Sequence, residues 1–306
     1  MRNETSAFYF RQSELNALAN GASLLSNEQR ENTIQYLQSY ISNKVFTCDK
    51  PEELLNLAWH CFACLKSLDG LSKYEESLFN TLNQAPNIQH MDLQGLEAFT
   101  ACWSLLKNYS PDKFLATDIS EHLIQIRCPD LSWSHIKRSP YSSIYGSWLA
   151  FSSYQNIEKP IPEELKVLEL LKAMKAKDEA YGHQKEAEHG SIASTYFAIC
   201  LLKSIEEEPS HQLSHWLSEQ QADDGGFLAT SIMPFGDIHS TAQALHSLSI
   251  LGHDLSSIKQ TSLAFICDHY HDRGGFTAHC RELQADPIST YYGLMTLGLI
   301  DDYLSL

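Results

Sequence analysis

The amino-acid sequence predicts an all-α protein in which six helix pairs close into a ring. Three observations support this prediction. An apolar segment recurs six times, an amphipathic segment precedes the clearer copies, and no βαβ pattern or run of alternating strands competes. Repeats of this length are typical of helical arrays, because each repeat can bury its apolar face only against its neighbours.

The apolar segment is most regular in the second half of the chain. The segments TYFAICLLK, TAQALHSLS and TYYGLMTLG begin at Thr195, Thr241 and Thr290 and align almost without gaps. The looser copies begin at Leu57, Gly95 and Ser143, and successive copies lie 38 to 52 residues apart. The position three residues after each anchor is small in five copies, which predicts close contact between helices. The small residues are Ala98, Gly146, Ala198, Ala244 and Gly293, whereas the weakest copy has His60 there.

The amphipathic segment and its glycine-rich turn complete each repeat. HWLSEQQADDGGF ends at Phe227, and AFICDHYHDRGGF ends at Phe276. One helix is charged on a face and the other is apolar nearly all round, as expected for outer and inner layers. Six such pairs give twelve helices in a single domain over residues 1–306, of which residues 1–25 could form an N-terminal extension. No polar capping repeat follows the last apolar segment, so we expect a closed ring rather than an open solenoid.

The charge balance narrows the classes of partner. The chain carries 38 acidic and 22 basic residues, a formal net charge of −16. Binding to nucleic acid requires clusters of Lys and Arg, and none occurs. No stretch has the character of a signal peptide, and none approaches the ~20 apolar residues of a transmembrane helix. We therefore expect a cytoplasmic protein that binds an apolar small molecule, with no nucleic acid and no transmembrane segment.

Two motifs resemble known families. The segment WLSEQQADDGGF, with Trp216, Gly225 and Gly226, resembles the QW-type repeat of squalene and terpene cyclases. The pattern GGF…D…T(Y)xAL also resembles the β-subunits of protein prenyltransferases. Both families share an (α/α)6 toroid whose inner helices surround an apolar central cavity. The resemblance implies this fold for roughly residues 50–306.

The segment GDIHSTAQA stands where class II terpene cyclases carry an Asp-x-Asp-Asp-Thr-Ala motif. The middle Asp of that motif protonates an alkene or an epoxide. Here Asp237 is kept, while His239 and Ser240 replace the second and third acids. The resemblance therefore implies a non-standard class II terpene cyclase-like enzyme in biosynthesis, with Asp237 and His239 as catalytic residues. It would cyclise or isomerise an isoprenoid or another long unsaturated apolar substrate by acid–base chemistry, without a cofactor.

The resemblance to prenyltransferases implies an alternative at the same position. Those β-subunits place two zinc ligands, Asp-x-Cys, where this chain has Asp237 and His239, and both residue types suit zinc. Their third ligand aligns with Ser289, a poor ligand, and the loop GGFLATSIMPFGD holds no Lys or Arg for a diphosphate. The alternatives are thus a prenyltransferase β-subunit-like zinc enzyme with a helical partner subunit, or a non-catalytic lipid-binding or scaffold toroid.

The acids that precede the inner helices have a structural explanation. Asp92, Glu188, Asp237 and Asp286 stand before four of the apolar segments. If the inner helices run parallel, their N-termini gather at one end of the ring, where a carboxylate can cap exposed N–H groups. Asp237 could therefore be an N-cap, a proton donor or an anionic partner of His239.

Aromatic side chains predict the other half of the site. A carbocation is attracted to the faces of Trp, Tyr and Phe rings, although each ring could equally serve core packing. The predicted substrate-binding residues are Tyr145, Trp148, Tyr196, Phe227, Phe235, Phe276, Tyr291 and Tyr292.

Overall fold

The computed structural model describes residues 9–43, 51–83, 85, 87–106, 113–162 and 164–301. Within these ranges the chain forms thirteen α-helices. They are α1 (Phe10–Leu24), α2 (Asn27–Asn43), α3 (Pro51–Ser67), α4 (Glu75–Asn83), α5 (Leu93–Leu105), α6 (Lys113–Gln125), α7 (Ile144–Asn156), α8 (Glu164–Ala173), α9 (Ile192–Ser204), α10 (Gln212–Ser218), α11 (Ile238–Ile250), α12 (Lys259–Asp268) and α13 (Pro287–Asp301). None of these described helices is both long and apolar enough to cross a membrane.

Six inner helices close into a ring, which confirms the predicted fold class. Five repeat anchors fall on α3, α5, α9, α11 and α13, and the sixth, Ser143, is the N-cap of α7. Each of these helices packs against the next one, and α13 packs against α3. The alternate helices α2 to α12 form the outer layer of an α/α toroid. The inner helices run apolar nearly all round because both of their faces are covered by protein.

The three regular repeats share a threonine hydroxyl that forms a hydrogen bond between each inner helix and the turn that precedes it. Oγ1 of Thr241 accepts the backbone N–H of Phe227 at 2.9 Å and donates to the carbonyl of Asp237 at 2.7 Å. Thr195 and Thr290 accept the N–H groups of Tyr181 and Phe276 in the same way. A buried amide without such a partner would cost about 1–3 kcal/mol, so the hydroxyl recurs with the turn.

The small residues of the repeat serve a different contact from the one that the sequence predicts. A Cβ on Gly146 would lie 2.6 Å from the backbone of Ser134 and His135, and one on Gly293 would lie 2.5 Å from the Phe276 ring. At these two positions the inner helix therefore admits the loop or turn that precedes it, and the prediction of a helix–helix contact is wrong there.

Helix α1 lies outside the six helix pairs. It falls within residues 1–25, the segment for which the sequence allows an N-terminal extension. It packs against α13 so closely that a Cβ on Gly298 would lie 1.9 Å from the carbonyl oxygen of Ala17. At its other end, Gln12 lines a cavity together with Lys66 and Ser204, which lie at the C-terminal ends of α3 and α9. Helix α1 therefore lies at the mouth formed by the C-terminal ends of the inner helices.

Polar side chains hold α1 in this place. Glu14, which is buried, accepts the hydroxyls of Tyr196 at 2.5 Å and Tyr291 at 2.9 Å. Ser13 Oγ lies 2.8 Å from Nε2 of the buried His246. Burial lowers the pKa of His246 to about 4, so its imidazole is neutral in the folded protein near neutral pH.

The close contact between α1 and α13 predicts that adding a methyl group at Gly298 will destabilise the protein. Gly298→Ala should lower the free energy of unfolding by about 1–3 kcal/mol, because the new Cβ overlaps the backbone of α1. Chemical denaturation measures this difference. Gly70→Ala is the matched control, since its Cβ meets only the Leu65 side chain and backbone at 3.3 Å or more. Equal losses for the two variants would contradict the placement of α1.

Stability should fall in mild acid because of buried neutral histidines. The folded pKa of His246 is lowered to about 4, while the unfolded chain takes up the proton below about pH 6.5. The stabilisation is therefore complete above about pH 6.5 and is lost as the pH falls towards 4, by about 1.4 kcal/mol per pH unit for each such group. His246→Gln should flatten this slope in urea denaturation between pH 7 and 5, whereas the exposed control His215→Gln should not. Parallel slopes for both variants would refute the prediction.

Candidate functional site

A cavity of about 510 Å³ lies inside the ring at the N-terminal ends of the inner helices. Each inner helix contributes one side chain from an equivalent position to its wall. We call these six residues the wall ring: His60, Glu97, Tyr145, Phe197, Gln243 and Tyr292. In every case the following residue is small, and at Gly146 and Gly293 this small residue admits the preceding loop or turn. The repeat thus has a defined inward position.

The position of His60 in the structure shows that the sequence alignment of the first repeat is out of register. The sequence places His60 at the small position, but in the structure His60 lines the cavity and the buried Cys61 follows it. The copy in α3 is therefore shifted by one residue. The shift was hidden because neither His60 nor Cys61 matches the alanine and glycine of the other copies.

Aromatic rings form one side of the cavity. The ring of Tyr145 lies 5.0 Å from that of Phe197 and 6.2 Å from that of Trp148, and Trp148 lies 4.8 Å from Phe197. Tyr292 covers the other side, with its ring 4.8 Å from that of His239. Three of the predicted substrate-binding residues, Tyr145, Trp148 and Tyr292, thus share the cavity, and Phe197 adds a ring that the predicted set does not contain.

The other predicted aromatic residues lie elsewhere. Tyr196 and Tyr291 are buried on the side of α1, with their hydroxyls on Glu14. Phe227 and Phe276 are buried in the turns that precede α11 and α13. Phe235 lies in a loop, where the Arg281 guanidinium sits 4.8 Å from its ring. None of these five side chains lines the cavity.

His239 is held by a chain of hydrogen bonds across two repeats. Its Nε2 lies 3.2 Å from Oγ of Ser289, and Ser289 Oγ lies 2.5 Å from Oδ2 of Asp286. An ionised carboxylate can only accept, so Ser289 donates to Asp286 and accepts Nε2–H from His239. This assignment leaves Nδ1 of His239 with the lone pair that can exchange a proton. Partial burial lowers the pKa of His239, although Asp237 and Asp286 oppose the shift.

Asp237 and His239 are close in sequence but make separate contacts. Asp237 caps α11, and its two oxygens accept the backbone N–H of Ser240 at 2.8 Å and the hydroxyl of Ser240 at 2.7 Å. Asp92 accepts the N–H of Gly95 at the start of α5, and Asp286 accepts that of Ser289. Glu188 pairs with Lys177, whereas Ser191 caps α9.

Three further histidines surround the cavity. Nδ1 of His135 lies 2.9 Å from Oγ of Ser143, and Nδ1 of His183 lies 3.0 Å from Oγ of Ser194. His60 donates from Nδ1 to the carbonyl of Asn56 at 2.7 Å, and burial lowers its pKa to about 3. The imidazole of His60 is therefore neutral, and its Nε2 acts as an acceptor.

The floor of the cavity is a buried guanidinium from α1. Arg11 lies between two indoles, with its central carbon 4.8 Å from the Trp59 ring and 4.7 Å from the Trp148 ring. Its nitrogens donate to Glu97 at 2.7 and 3.0 Å and to Glu14 at 2.8 Å. Burial opposes its charge, but the two carboxylates raise the pKa of Arg11 well above its usual value. Arg11 is the only Lys or Arg side chain among the described residues of the cavity lining, and its charge is compensated.

Sequence reasoning missed Arg11, Glu97 and His60. The signal for Glu97 is visible in hindsight, because it is the only charged side chain in the apolar segment LQGLEAFTACWSL. Arg11 carries no such signal, since it stands in a polar stretch that resembles an exposed helix.

The donor set at the aligned zinc position does not suit the metal. Both carboxylate oxygens of Asp237 are held by Ser240, and Nε2 of His239 faces a serine hydroxyl. Over the part of the chain that the structure describes, no three His, Cys, Asp or Glu side chains lie close enough together to hold a metal ion. We therefore derive no step through zinc.

Solved structures share this architecture at low sequence identity. Candida albicans protein geranylgeranyltransferase-I complexed with GGPP is similar over 89% of this chain and 91% of that chain, with 13% identity and a TM-score of 0.71. The type II terpene cyclase MstE from Scytonema, in its apo form, is similar over 96% and 99%, with 12% identity and a TM-score of 0.52. A variant of MstE in complex with geranylgeranyl dihydroxybenzoate gives 13% identity and a TM-score of 0.53 over the same shares.

The sequence comparisons address the family directly. No curated protein sequence matches the chain. The family described as the prenyltransferase alpha-alpha toroid domain matches residues 138–209 and 201–305, which together make up more than half of the chain. With the closed ring of six inner helices, this match shows that the chain belongs to the prenyltransferase alpha-alpha toroid domain family.

Proposed function

We propose that this protein is an enzyme that isomerises or cyclises a neutral isoprenoid-type substrate in the aromatic cavity, with His239 as the proton carrier. The observation that carries the proposal is the lining of the cavity. Aromatic rings cover its sides, and the one guanidinium among its described lining residues is already paired with carboxylates. Such a site suits an apolar chain and a transient cation rather than a charged group.

The electrostatics of the cavity disfavour a diphosphate. A diphosphate would need uncompensated cations or free helix N-termini. The guanidinium of Arg11 is held by Glu97 and Glu14, and carboxylates of Asp237 and Asp286 already occupy two of the nearby helix N-termini. The substrate class that remains is an isoprenoid without a diphosphate group.

In the proposed chemistry His239 acts first as the general acid and then as the general base. A lowered pKa makes the imidazolium of His239 a stronger acid than free imidazolium, and Nδ1 is the nitrogen free to give the proton. An epoxide or carbonyl oxygen accepts a proton more readily than an alkene, so a substrate with such an oxygen fits this acid. The resulting cation would face Tyr145, Trp148 and Phe197. The neutral imidazole would then remove a proton from the product cation, so that substrate and product are isomers.

The ligands named for the similar structures share the isoprenoid chain with this class, although GGPP also carries a diphosphate, which the present proposal excludes. The Candida albicans structure contains GGPP, and the Scytonema cyclase variant contains geranylgeranyl dihydroxybenzoate. At 13% identity these ligands belong to those proteins. They support an isoprenoid chain as the first class to test on this protein.

The role of His239 is tested by product formation from a panel of isoprenoid epoxides, alcohols and ketones. His239→Gln should lower kcat by about 10²-fold or more, because an amide can keep the hydrogen bond to Ser289 but cannot carry the proton. Chromatography with mass detection measures product isomers.

Asp237→Asn is the matched control for this test. Asparagine also caps helices well, so this variant should keep kcat within a few-fold of the parent under the present assignment. Loss of turnover in Asp237→Asn with retained turnover in His239→Gln would move the proton donor to Asp237. Thermal unfolding of both variants separates loss of chemistry from loss of fold.

The preference for a neutral head group gives a second prediction. Farnesol should bind at least about tenfold more tightly than farnesyl diphosphate, because the described residues of the cavity lining offer no uncompensated cation to the anionic diphosphate. Titration calorimetry at constant ionic strength measures both dissociation constants. Tighter binding of the diphosphate would favour a transferase instead.

A further inference from the structure

We infer that Arg11 is a partition that sets the length of the chain that the cavity accepts. This inference rests on the proposed function, since it concerns the specificity of the same site. It assigns a role to a helix that precedes the first of the six repeats.

Two cavities meet at this residue. The cavity at the N-terminal ends of the inner helices measures about 510 Å³, and the one at their C-terminal ends measures about 620 Å³. Among the described residues, Arg11 is the only one that lines both. The guanidinium therefore stands between the cavity inside the ring and the more polar cavity at its C-terminal mouth.

The guanidinium of Arg11 is held in place on both of its faces and along its edges. Trp59 and Trp148 each lie within 5 Å of the guanidinium carbon, and Glu97 and Glu14 hold its nitrogens. Ser152 also donates to Glu97 at 2.6 Å, and Tyr196 and Tyr291 donate to Glu14. Moving the guanidinium aside would leave two buried carboxylates without their counter-charge, which is strongly unfavourable.

This arrangement has a direct consequence for a bound chain. An apolar chain that enters between the N-terminal ends of the inner helices meets the guanidinium at the bottom of the first cavity. It gains free energy for each methylene that it buries up to that point and nothing beyond it. An apolar floor could yield to a longer chain by small side-chain movements, whereas a paired charge cannot.

The test compares two triple variants that carry the same charge. R11A/E14Q/E97Q removes the partition and neutralises both carboxylates. The new amides can still pair with the hydroxyls of Tyr196, Tyr291 and Ser152, because an amide oxygen accepts from one hydroxyl while its nitrogen donates to another. R11M/E14Q/E97Q is equally neutral but fills the space with an unbranched side chain. The probes are geraniol, farnesol and geranylgeraniol, whose chains lengthen by one isoprene unit at each step. Quenching of tryptophan fluorescence gives the dissociation constants.

The parent should show a limit beyond which a longer alcohol binds no more tightly, and the Met variant, whose apolar floor can yield, should relax that limit by a smaller factor than the Ala variant does. The Ala variant should bind the first alcohol beyond that limit at least about tenfold more tightly than the Met variant does. Identical length profiles for the two variants would overturn the partition and leave the proposed function intact. If the parent bound none of the three alcohols, the proposed function itself would fail, and the inference with it.

Folding is checked by thermal unfolding of each variant. If the Ala variant does not fold, Arg11→Lys provides the second test, because it keeps the positive charge but loses the width of the guanidinium. It should move the length limit in the same direction by a smaller factor. An unchanged length profile in a folded Arg11→Lys protein would then count against the partition.

Discussion

The pairing of one guanidinium with two carboxylates inside the ring is the interaction on which the rest of the structure depends. Arg11 joins α1 to α5 through Glu97, and Glu14 joins α1 to α9 and α13 through Tyr196 and Tyr291. Burial of these charges is costly, so the arrangement is stable only with every partner in place. The cluster thereby fixes the position of α1, and α1 fixes the depth of the cavity.

The N-terminal ends of the inner helices impose a second constraint. Exposed N–H groups make that end of the ring attractive to negative charge. The chain satisfies several of these groups with its own side chains, among them Asp92, Asp237 and Asp286. Serine hydroxyls at the helix starts also hold His135, His183 and His239. The cavity therefore presents imidazoles and aromatic faces at an end of the ring that could otherwise bind anions.

The sequence predicts the ring well because its signal is periodic. Three copies that begin with Thr195, Thr241 and Thr290 share both an apolar pattern and a hydroxyl that the turn requires. In the alignment His239 stands two residues before the anchor Thr241 and Ser289 one residue before the anchor Thr290, and the structure places them 3.2 Å apart. Local patterns of this kind report contacts that recur at each repeat.

Contacts that occur once leave no such trace. Arg11 meets Glu97, which lies 86 residues away, and Glu14 meets Tyr196, which lies 182 residues away. A charged side chain in an amphipathic helix is normally exposed, so burial of Arg11 and Glu14 could not be predicted without their partners. For the same reason Tyr196 and Tyr291 appear equivalent to Tyr145 in the sequence, although only Tyr145 reaches the cavity.

The wall ring gives this fold a modular chemistry. Each repeat supplies one wall-ring side chain from an equivalent position, and a small residue follows it. A substitution at one wall-ring position therefore alters one sector of the cavity, while the contacts between the inner helices keep the ring closed. His, Glu, Tyr, Phe, Gln and Tyr occupy the six sectors here. Because the six sectors can diverge independently, a single helical scaffold can acquire an asymmetric interior from near-symmetric repeats.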